Sequence, residues 1–310
     1  MSFSKPLTLA RLNDVVLGSF GAFQPCETLD HLVRYLGTWS GSEYFLKVVQ
    51  YAIKVLVPFL RLRARLQYRA GLRKTPDSAA ATSFSKIGSI IGDSRTLWRI
   101  WGLLPIVQWL ISLERTPPAT RNLLTLERLQ GWSMIAYYPL EHLSYLMFNG
   151  TIPSTLSIKS PFSTRQISLS ANSLSVWSCR FWAIYVLLQF IHLREDFKLL
   201  RARQRNLRKG KGTGLSSMEK KELQQRWDAY WSDCIINLGY LPLTVHWSLE
   251  KGLFRNDVWV GVFGLIAGLA SFRNGWKATA LASTPPTPEV AEDVKAVNID
   301  TEATGYDIST

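Results

Sequence analysis

The apolar residues of this chain recur at the spacing of an α-helix, and residues 84–101 show the clearest sidedness. On a helical wheel, one arc holds the large apolar side chains: Phe84, Ile87, Ile90, Ile91, Leu97, Trp98 and Trp101. Polar and basic side chains, among them Lys86, Arg95 and Arg99, fall outside that arc. An apolar, Trp-bearing face with basic borders is typical of a helix at the boundary of acyl chains and headgroups. A helix packed on a protein core shows the same pattern, so this stretch alone leaves both possibilities open.

The flanking sequence predicts further helices and their ends. Residues 26–72 read as two helices, and Pro58 is expected to kink or divide the second. The expected N-caps of these two helices and of the amphipathic helix are, in chain order, Thr28 or Asp30, Ser42, and Ser83. Residues 149–173 are rich in Ser, Thr, Asn and Pro and are therefore predicted to form a loop.

No apolar segment reaches 18 uninterrupted residues, so length alone identifies no transmembrane helix. Residues 258–272 are the best candidate, since they carry no charge and Trp259 and Trp276 would anchor them at the two interfaces. Residues 174–193 come second because Arg180 interrupts them. The pattern predicts an all-α fold: a membrane-associated helical bundle with an N-terminal amphipathic helix region and one to two candidate transmembrane helices. The alternative is that both segments are core helices of a soluble all-α protein.

Composition shifts along the chain predict four regions. They are an N-terminal helical cytosolic region (1–82), an amphipathic membrane-inserting helix with its apolar continuation (83–113), a helical membrane region (114–280) that contains a basic loop (194–226), and a disordered acidic tail (281–310). The tail is assigned from its Pro, small and mostly acidic residues, which cannot form a packed core.

The net charge of +13 and the 12 tryptophans favour a membrane surface as partner. Basic clusters follow directly on apolar segments at residues 55–74 and 187–212, and that juxtaposition is typical of attraction to anionic lipid. The first cluster contains Arg61, Arg63, Arg65, Arg69, Arg73 and Lys74. The sequence contains no recognisable nucleic-acid-binding module, so no nucleic-acid partner is expected.

Side chains with catalytic or metal-binding potential are few and scattered. The three cysteines are far apart and odd in number, which argues against a disulfide framework or a zinc site. None of the four histidines has a metal-ligand spacing, and the glycine-rich residues 210–214 lack the ending of a phosphate-binding loop. The sequence therefore predicts no catalytic residue, no metal and no cofactor, and a protein that is not an enzyme.

Gly264 and Gly268 form a GxxxG pair within the best transmembrane candidate. Small residues four positions apart let two helices approach closely in lipid, so the pair supports a hypothesis of self-association. Packing against another helix of any kind is the alternative.

Three segments together resemble the peroxin-eleven family, whose members drive the elongation and division of peroxisomes. Residues 35–57 resemble its N-terminal motif, for which the counterparts are Thr38, Gly41, Ser42, Glu43, Tyr44, Gln50 and Tyr51. Residues 91–105 are similar to a second family element, with Arg95, Arg99 and Gly102 in place. Residues 261–276 resemble its glycine-rich membrane segment. Leu97 and Trp98 stand where a second basic residue is frequent, and the Ser-rich loop and acidic tail also depart from the pattern. These departures indicate a divergent, fungal-type member.

The resemblance implies a peroxisomal membrane protein that promotes membrane elongation and fission. It would insert an amphipathic helix into an anionic phospholipid membrane, form a homo-oligomer and recruit membrane fission machinery. The residues expected to insert are Phe84, Ile87, Ile91, Leu97, Trp98 and Trp101. Those expected to bind lipid headgroups are Lys86, Arg95 and Arg99. Gly264 and Gly268 are expected to pack helices.

Two other function classes fit parts of the sequence. A peroxisomal membrane channel or transporter for small metabolites is indicated by Arg180 within one apolar segment and by Pro105 and Pro242 within others. A soluble all-α scaffold or an enzyme is the third class. The topology is also open: the positive-inside rule places residues 194–226 in the cytosol, whereas the resemblance, with two spans and both termini cytosolic, places them in the matrix.

Overall fold

Helices dominate the computed structural model, which describes residues 26–160, 163–210 and 216–281 together with positions 13, 16–22 and 24. In chain order, the α-helices of this part are α1 (Glu27–Gly37), α2 (Trp39–Arg69), α3 (Ala79–Trp98), α4 (Leu103–Arg115), α5 (Arg121–Phe148), α6 (Ala171–Gly210), α7 (Ser217–Ser248) and α8 (Asp257–Ala278). Short 3-10 helices occupy Gly18–Ala22 and Arg99–Gly102, and the second of these connects α3 to α4.

The first three helices begin earlier than predicted. Cys26 precedes α1, and Thr38 caps α2 by accepting a hydrogen bond at 3.0 Å from the backbone N–H of Gly41. Ser78 caps α3 in the same way, through the N–H of Ala81 at 3.2 Å. The predicted N-caps were therefore wrong: Thr28 or Asp30, Ser42, and Ser83. The alanines that follow Ser78 are strong helix formers, so α3 starts at Ala79, ahead of the predicted cap Ser83.

Pro58 does not divide α2, which runs unbroken from Trp39 to Arg69. A proline inside a helix removes one main-chain hydrogen bond. Ile53 and Val57 on the same stretch are buried against Ala81 of α3, and this packing supports the helix across the defect.

The helices pack side by side in the order α2, α8, α7, α6, α5 and α4, and α3 packs on the other side of α2. Because α3 and the 3-10 helix also contact α5, the arrangement closes into a ring. Its core is formed by buried side chains from six helices, including Tyr51, Ile106, Met134, Tyr138, Trp182, Val186, Ile236, Leu243, Val260 and Ala267. The predicted all-α helical bundle is confirmed. Helix α2 belongs to this bundle, and the cytosolic placement of region 1–82 stays a prediction.

Among the described residues, three helical runs are long and apolar enough to cross a membrane, by length and composition: Ala79–Arg115, Ala171–Leu207 and Asp257–Ala278. Two of them contain the predicted candidates. The third joins α3 to α4, since Pro105 lies in the first turn of α4, where a proline is tolerated. Between 17% and 33% of the apolar windows in these runs is buried within the molecule, and the remaining positions are partly or fully exposed.

The predicted loop over residues 149–173 instead contains a hairpin of β1 (Thr155–Ser160) and β2 (Ser163–Ser168). The strands are antiparallel, with Thr155 opposite Ser168. The loop prediction is therefore wrong. Apolar and polar residues alternate at 156–159, as in a strand, although the Ser and Thr content of the segment is typical of a loop. The predicted disordered tail lies outside the described residues, apart from residue 281.

Candidate membrane-contacting site

Helix α3 faces its neighbour α2 with small residues. Ala81 is buried in a cluster with Ile53 and Val57 of α2. Gly88 lies so close to Ile53 that an added Cβ atom would stand 3.0 Å from the Ile53 Cγ2 atom, and one on Gly92 would overlap the Gln50 amide. The side of α3 that contacts protein is therefore a stripe of small residues and not its large apolar arc.

The large apolar side chains of α3 and the 3-10 helix point away from the bundle. We call this set the outer apolar face: Phe84, Ile87, Ile90, Leu97, Trp98 and Trp101. Ile90, Trp98 and Trp101 are the most exposed, at 65%, 61% and 53%. The predicted inserting residue Ile91 sits at the border of the arc and packs partly on α2. The same surface continues along α4 through the exposed side chains of Leu104, Val107 and Ile111.

Arg95 lies inside the molecule, where only 5% of it is exposed. Its Nε atom donates to both oxygens of Glu43, at 3.1 and 3.0 Å, and an Nη atom is 2.5 Å from Oε1 of the same carboxylate. The second Nη donates to the side-chain oxygen of Gln50. Burial alone would raise the pKa of Glu43, but the Arg95 guanidinium outweighs burial and lowers it, so the pair is ionised.

Arg99 is also held by the protein. Its Nη1 donates to the Tyr137 hydroxyl at 2.9 Å and forms an ion pair with Glu141 of α5. The prediction that Arg95 and Arg99 bind lipid headgroups is therefore wrong, because internal partners occupy both guanidinium groups. The third predicted headgroup ligand, Lys86, is exposed.

The structure brings the two halves of the family motif into contact. Glu43 and Gln50 come from the first motif segment and Arg95 from the second, and the Arg95 guanidinium also lies 5.9 Å from the ring centroid of Tyr51. Gly102, the last motif residue, approaches Tyr138 so closely that an added Cβ would stand 2.5 Å from the hydroxyl. Most of these motif residues thus fix α3 and the 3-10 helix onto α2 and α5.

Gly264 and Gly268 pack α8 against α2 of the same chain. A Cβ on Gly264 would stand 2.5 Å from the Tyr51 ring, and one on Gly268 would be 3.4 Å from a Val48 methyl group. This face of α8 is therefore covered within the chain. Self-association stays a prediction, and the GxxxG pair does not supply a free surface for it.

Basic side chains gather where α2 ends, next to the start of α3. Arg61, Arg63, Arg65 and Arg69 are exposed on the last two turns of α2, interleaved with exposed Leu62 and Leu66; Lys74 is exposed in the turn that follows. This cationic surface lies near the start of α3, where Lys86 is also exposed.

The tryptophans predicted to anchor α8 differ in environment. Trp259 is 53% exposed, as an interfacial anchor requires. Trp276 instead stacks on Phe272, and the His31 ring of α1 lies against it with centroids 3.8 Å apart. It is therefore used to dock α1 on the end of α8.

Within the described part of the chain, no group of three or more His, Cys, Asp or Glu side chains is arranged to hold a metal ion. Sequence reasoning missed the buried polar groups that tie the helices together, such as Lys47, whose Nζ donates to the Tyr240 hydroxyl at 2.6 Å. Their partners lie far apart in the chain, so periodicity cannot pair them. The one available signal for α3 was its stripe of Ala81, Gly88 and Gly92, which is typical of close helix packing.

An all-α bundle with three potential spans and apolar outer faces defines the class of α-helical membrane proteins. The chain belongs to the Peroxisomal biogenesis factor 11 (PEX11) family, whose model matches residues 29–276. It is also 25% identical over 198 residues to an uncharacterized protein of Schizosaccharomyces pombe, an alignment that covers 64% of this chain and 78% of the relative. No solved structure matches the chain.

Family membership confirms the resemblance found in the sequence, and the fission-yeast relative fits a divergent fungal-type member. The family is one of peroxisomal biogenesis factors, so this protein is peroxisomal and its role is in peroxisome biogenesis. Its apolar helices are consistent with association with the membrane.

Proposed function

We propose that this protein remodels the peroxisomal membrane, and that the outer apolar face of α3 does so by inserting into the cytosolic leaflet. A helix that lies in one leaflet expands its headgroup area and favours positive curvature, which promotes elongation and then fission. The observation that carries the proposal is the orientation of α3: its small residues and Arg95 contact protein, while its Trp and Ile side chains point away.

This orientation distinguishes a membrane-inserting helix from a helix of a soluble core for residues 84–101. A helix that belonged to a soluble core would turn its large apolar arc inward, where burial stabilises each such side chain by roughly 1.5–3 kcal/mol. In this protein the arc is about half exposed, so a large part of that stabilisation is available only from another apolar medium. Acyl chains provide such a medium, and the proposal assigns them that role.

Anionic phospholipid is the proposed membrane partner. The exposed basic side chains at the end of α2 and Lys86 of α3 lie beside the outer apolar face, and each cation near an anionic surface contributes about 1 kcal/mol. Formation of a homo-oligomer and recruitment of membrane fission machinery complete the proposal on the strength of the family resemblance. The scheme needs no bond-making chemistry, no cofactor and no nucleic acid.

The transport alternative rests in part on Arg180, and this residue makes its contacts within the protein. Arg180, the charge that interrupts α6, has its guanidinium 4.7 Å from the ring centroid of Trp177 and donates to the backbone carbonyl of Ser248 at 3.4 Å. It therefore sits at the end of α7, in a structural contact near one end of the bundle.

The full-length variant Trp98→Asp/Trp101→Asp tests the proposal in cells that lack the endogenous protein. We expect it to remain in the organelle membrane but to leave peroxisomes few and round, because two carboxylates on the outer apolar face oppose insertion. The matched control is Ser89→Asp, which adds a carboxylate to the exposed polar side of the same helix and should restore elongation. Normal elongation by the Trp variant, at equal expression, would refute the insertion model.

A further inference from the structure

A long cavity of about 1880 Å³ lies within the bundle, on the side of α4 that faces the other helices. Its walls come from α4, α5, α6 and α7, and from the ends of α2 and α8. On α6 the lining residues extend from Trp182 to Leu207, which corresponds to about 37 Å of helix. None of the residues 84–101 lines it, so it is separate from the outer apolar face.

One wall and the inner end of this cavity are apolar. Pro105, Ile106, Trp109 and Leu113 line it from α4, and Trp182 closes the inner end. Ile106, Leu113 and Trp182 are almost fully buried. Pro105, which is exposed, and Trp109, which is partly exposed, offer the cavity a surface that suits hydrocarbon.

Another part of the cavity wall, on α5 and α6, carries an acidic group. The ring of His192 lies between two carboxylates, with Nε2 3.3 Å from Glu127 and Nδ1 2.9 Å from Asp196. Two carboxylates share one imidazole, so the group is negative whether His192 is neutral or protonated. Tyr230 stands beside it: burial, the Cys234 thiol and the Asp196 carboxylate raise the pKa of its hydroxyl to about 12.

A basic group follows further along α6 and on α7. Arg203 and Arg226 both line the cavity, and their guanidinium groups share one oxygen of Glu222, at 2.7 and 3.1 Å. Two cations on one carboxylate leave a net positive charge. Arg203 lies seven residues beyond Asp196 on α6, so about 10 Å of helix separates the basic group from the acidic one.

We propose that this cavity binds one zwitterionic phospholipid of the phosphocholine type. The quaternary ammonium would sit at Glu127 and Asp196, next to the aromatic ring of Tyr230, because aromatic rings and carboxylates attract such cations. The phosphate would bind Arg203 and Arg226, whose guanidinium groups suit its oxygens. The acyl chains would lie along the apolar wall of α4.

The charge pattern favours a zwitterionic headgroup over lipids that carry charge of one sign. An anionic headgroup would satisfy the arginines but would meet repulsion at the acidic group. A cationic amphiphile would satisfy the carboxylates but not the arginines. Only a headgroup with both charges complements both groups.

Native mass spectrometry of the full-length protein tests this site. The protein, purified in detergent and stripped of lipid, is incubated with equal amounts of phosphatidylcholine and phosphatidylglycerol. We expect one phosphatidylcholine to be retained in preference to phosphatidylglycerol. The variant Glu127→Gln/Asp196→Asn should retain phosphatidylcholine about tenfold less well, a change that corresponds to about 1.4 kcal/mol.

Glu114→Gln is the matched control, since Glu114 forms an exposed ion pair with Arg128 at the same end of the bundle and does not line the cavity. It should bind as the wild type does, and all variants are compared at equal thermal stability. Equal retention of both lipids, or undiminished retention by the double variant, would overturn the site. Competition by soluble glycerophosphocholine at the affinity of the lipid would overturn the lipid as occupant. None of these results bears on the insertion of α3, which uses other residues.

Discussion

Arg95 and Arg99 show how a basic residue on an amphipathic helix can serve the fold. Both lie on the side of the α3 segment that contacts protein, and both are paired with carboxylates from distant helices. A buried ion pair contributes little net stability, but removing one partner is costly because the other charge stays buried. The two pairs therefore determine which side of α3 faces the bundle, and with it which side faces outward.

At this scale we predict that Glu43→Gln destabilises the protein. Both members of the Glu43–Arg95 pair are over 90% buried, so the free energy of unfolding should fall by about 3–5 kcal/mol. Denaturant unfolding in detergent, followed by circular dichroism, measures it. Glu114→Gln, which breaks an exposed pair, should leave the midpoint unchanged. A wild-type midpoint for Glu43→Gln would show that Arg95 is not held by this carboxylate.

Helix α3 shows which features helical periodicity can predict and which it cannot. Its apolar arc follows from helical periodicity alone, and the structure shows that arc as an exposed surface. Helical periodicity did not predict which side of α3 contacts the protein. Arg95 and Glu43 are 52 residues apart, and periodicity cannot identify such a partner. The hairpin at 155–168 was missed for a different reason: its short alternation was too weak against its loop-like composition.

The packing of helix α8 on α2 depends on the absence of a side chain at Gly264. Gly264→Leu should destabilise the monomeric bundle by roughly 1–3 kcal/mol, since the new side chain would overlap the Tyr51 ring on α2. Gly268→Ala should be tolerated, because its Cβ would stand at an ordinary distance from Val48. Limited proteolysis in detergent distinguishes the two variants. Equal resistance in both would mean that α8 does not pack on α2 through Gly264.

For the molecule as a whole, the ring of helices restricts the topology. The cavity is lined by Trp39 at the start of α2, by Thr279 just after α8 and by Leu207 in the later part of α6, and Lys277 of α8 forms an ion pair with Asp228 of α7 at 3.0 Å. Residues 194–210 of α6 and 217–226 of α7 then lie at the same end of the bundle as the start of α2 and the end of α8. Cytosolic termini and a cytosolic basic loop are thus compatible, and the matrix location implied by a two-span topology is not needed.

Protease treatment of intact peroxisomes tests this arrangement. We expect cleavage both between α6 and α7 and after α8, without detergent, since both sites lie on the cytosolic side. An epitope tag in each segment reports the cuts, and a matrix protein serves as the control for intact membranes. Protection of the α6–α7 connection while the C-terminal tag is lost would contradict the placement of these two segments on one side of the membrane.

Quenching by brominated phospholipid measures whether the outer apolar face of α3 contacts acyl chains. The full-length protein, with its three cysteines replaced by serine, carries a bimane probe on Trp98→Cys or on Ser89→Cys and is reconstituted in liposomes. We expect strong quenching at residue 98 and little at residue 89, because the two positions lie on opposite sides of α3. Equal quenching at both positions, or stronger quenching at residue 89, would contradict it.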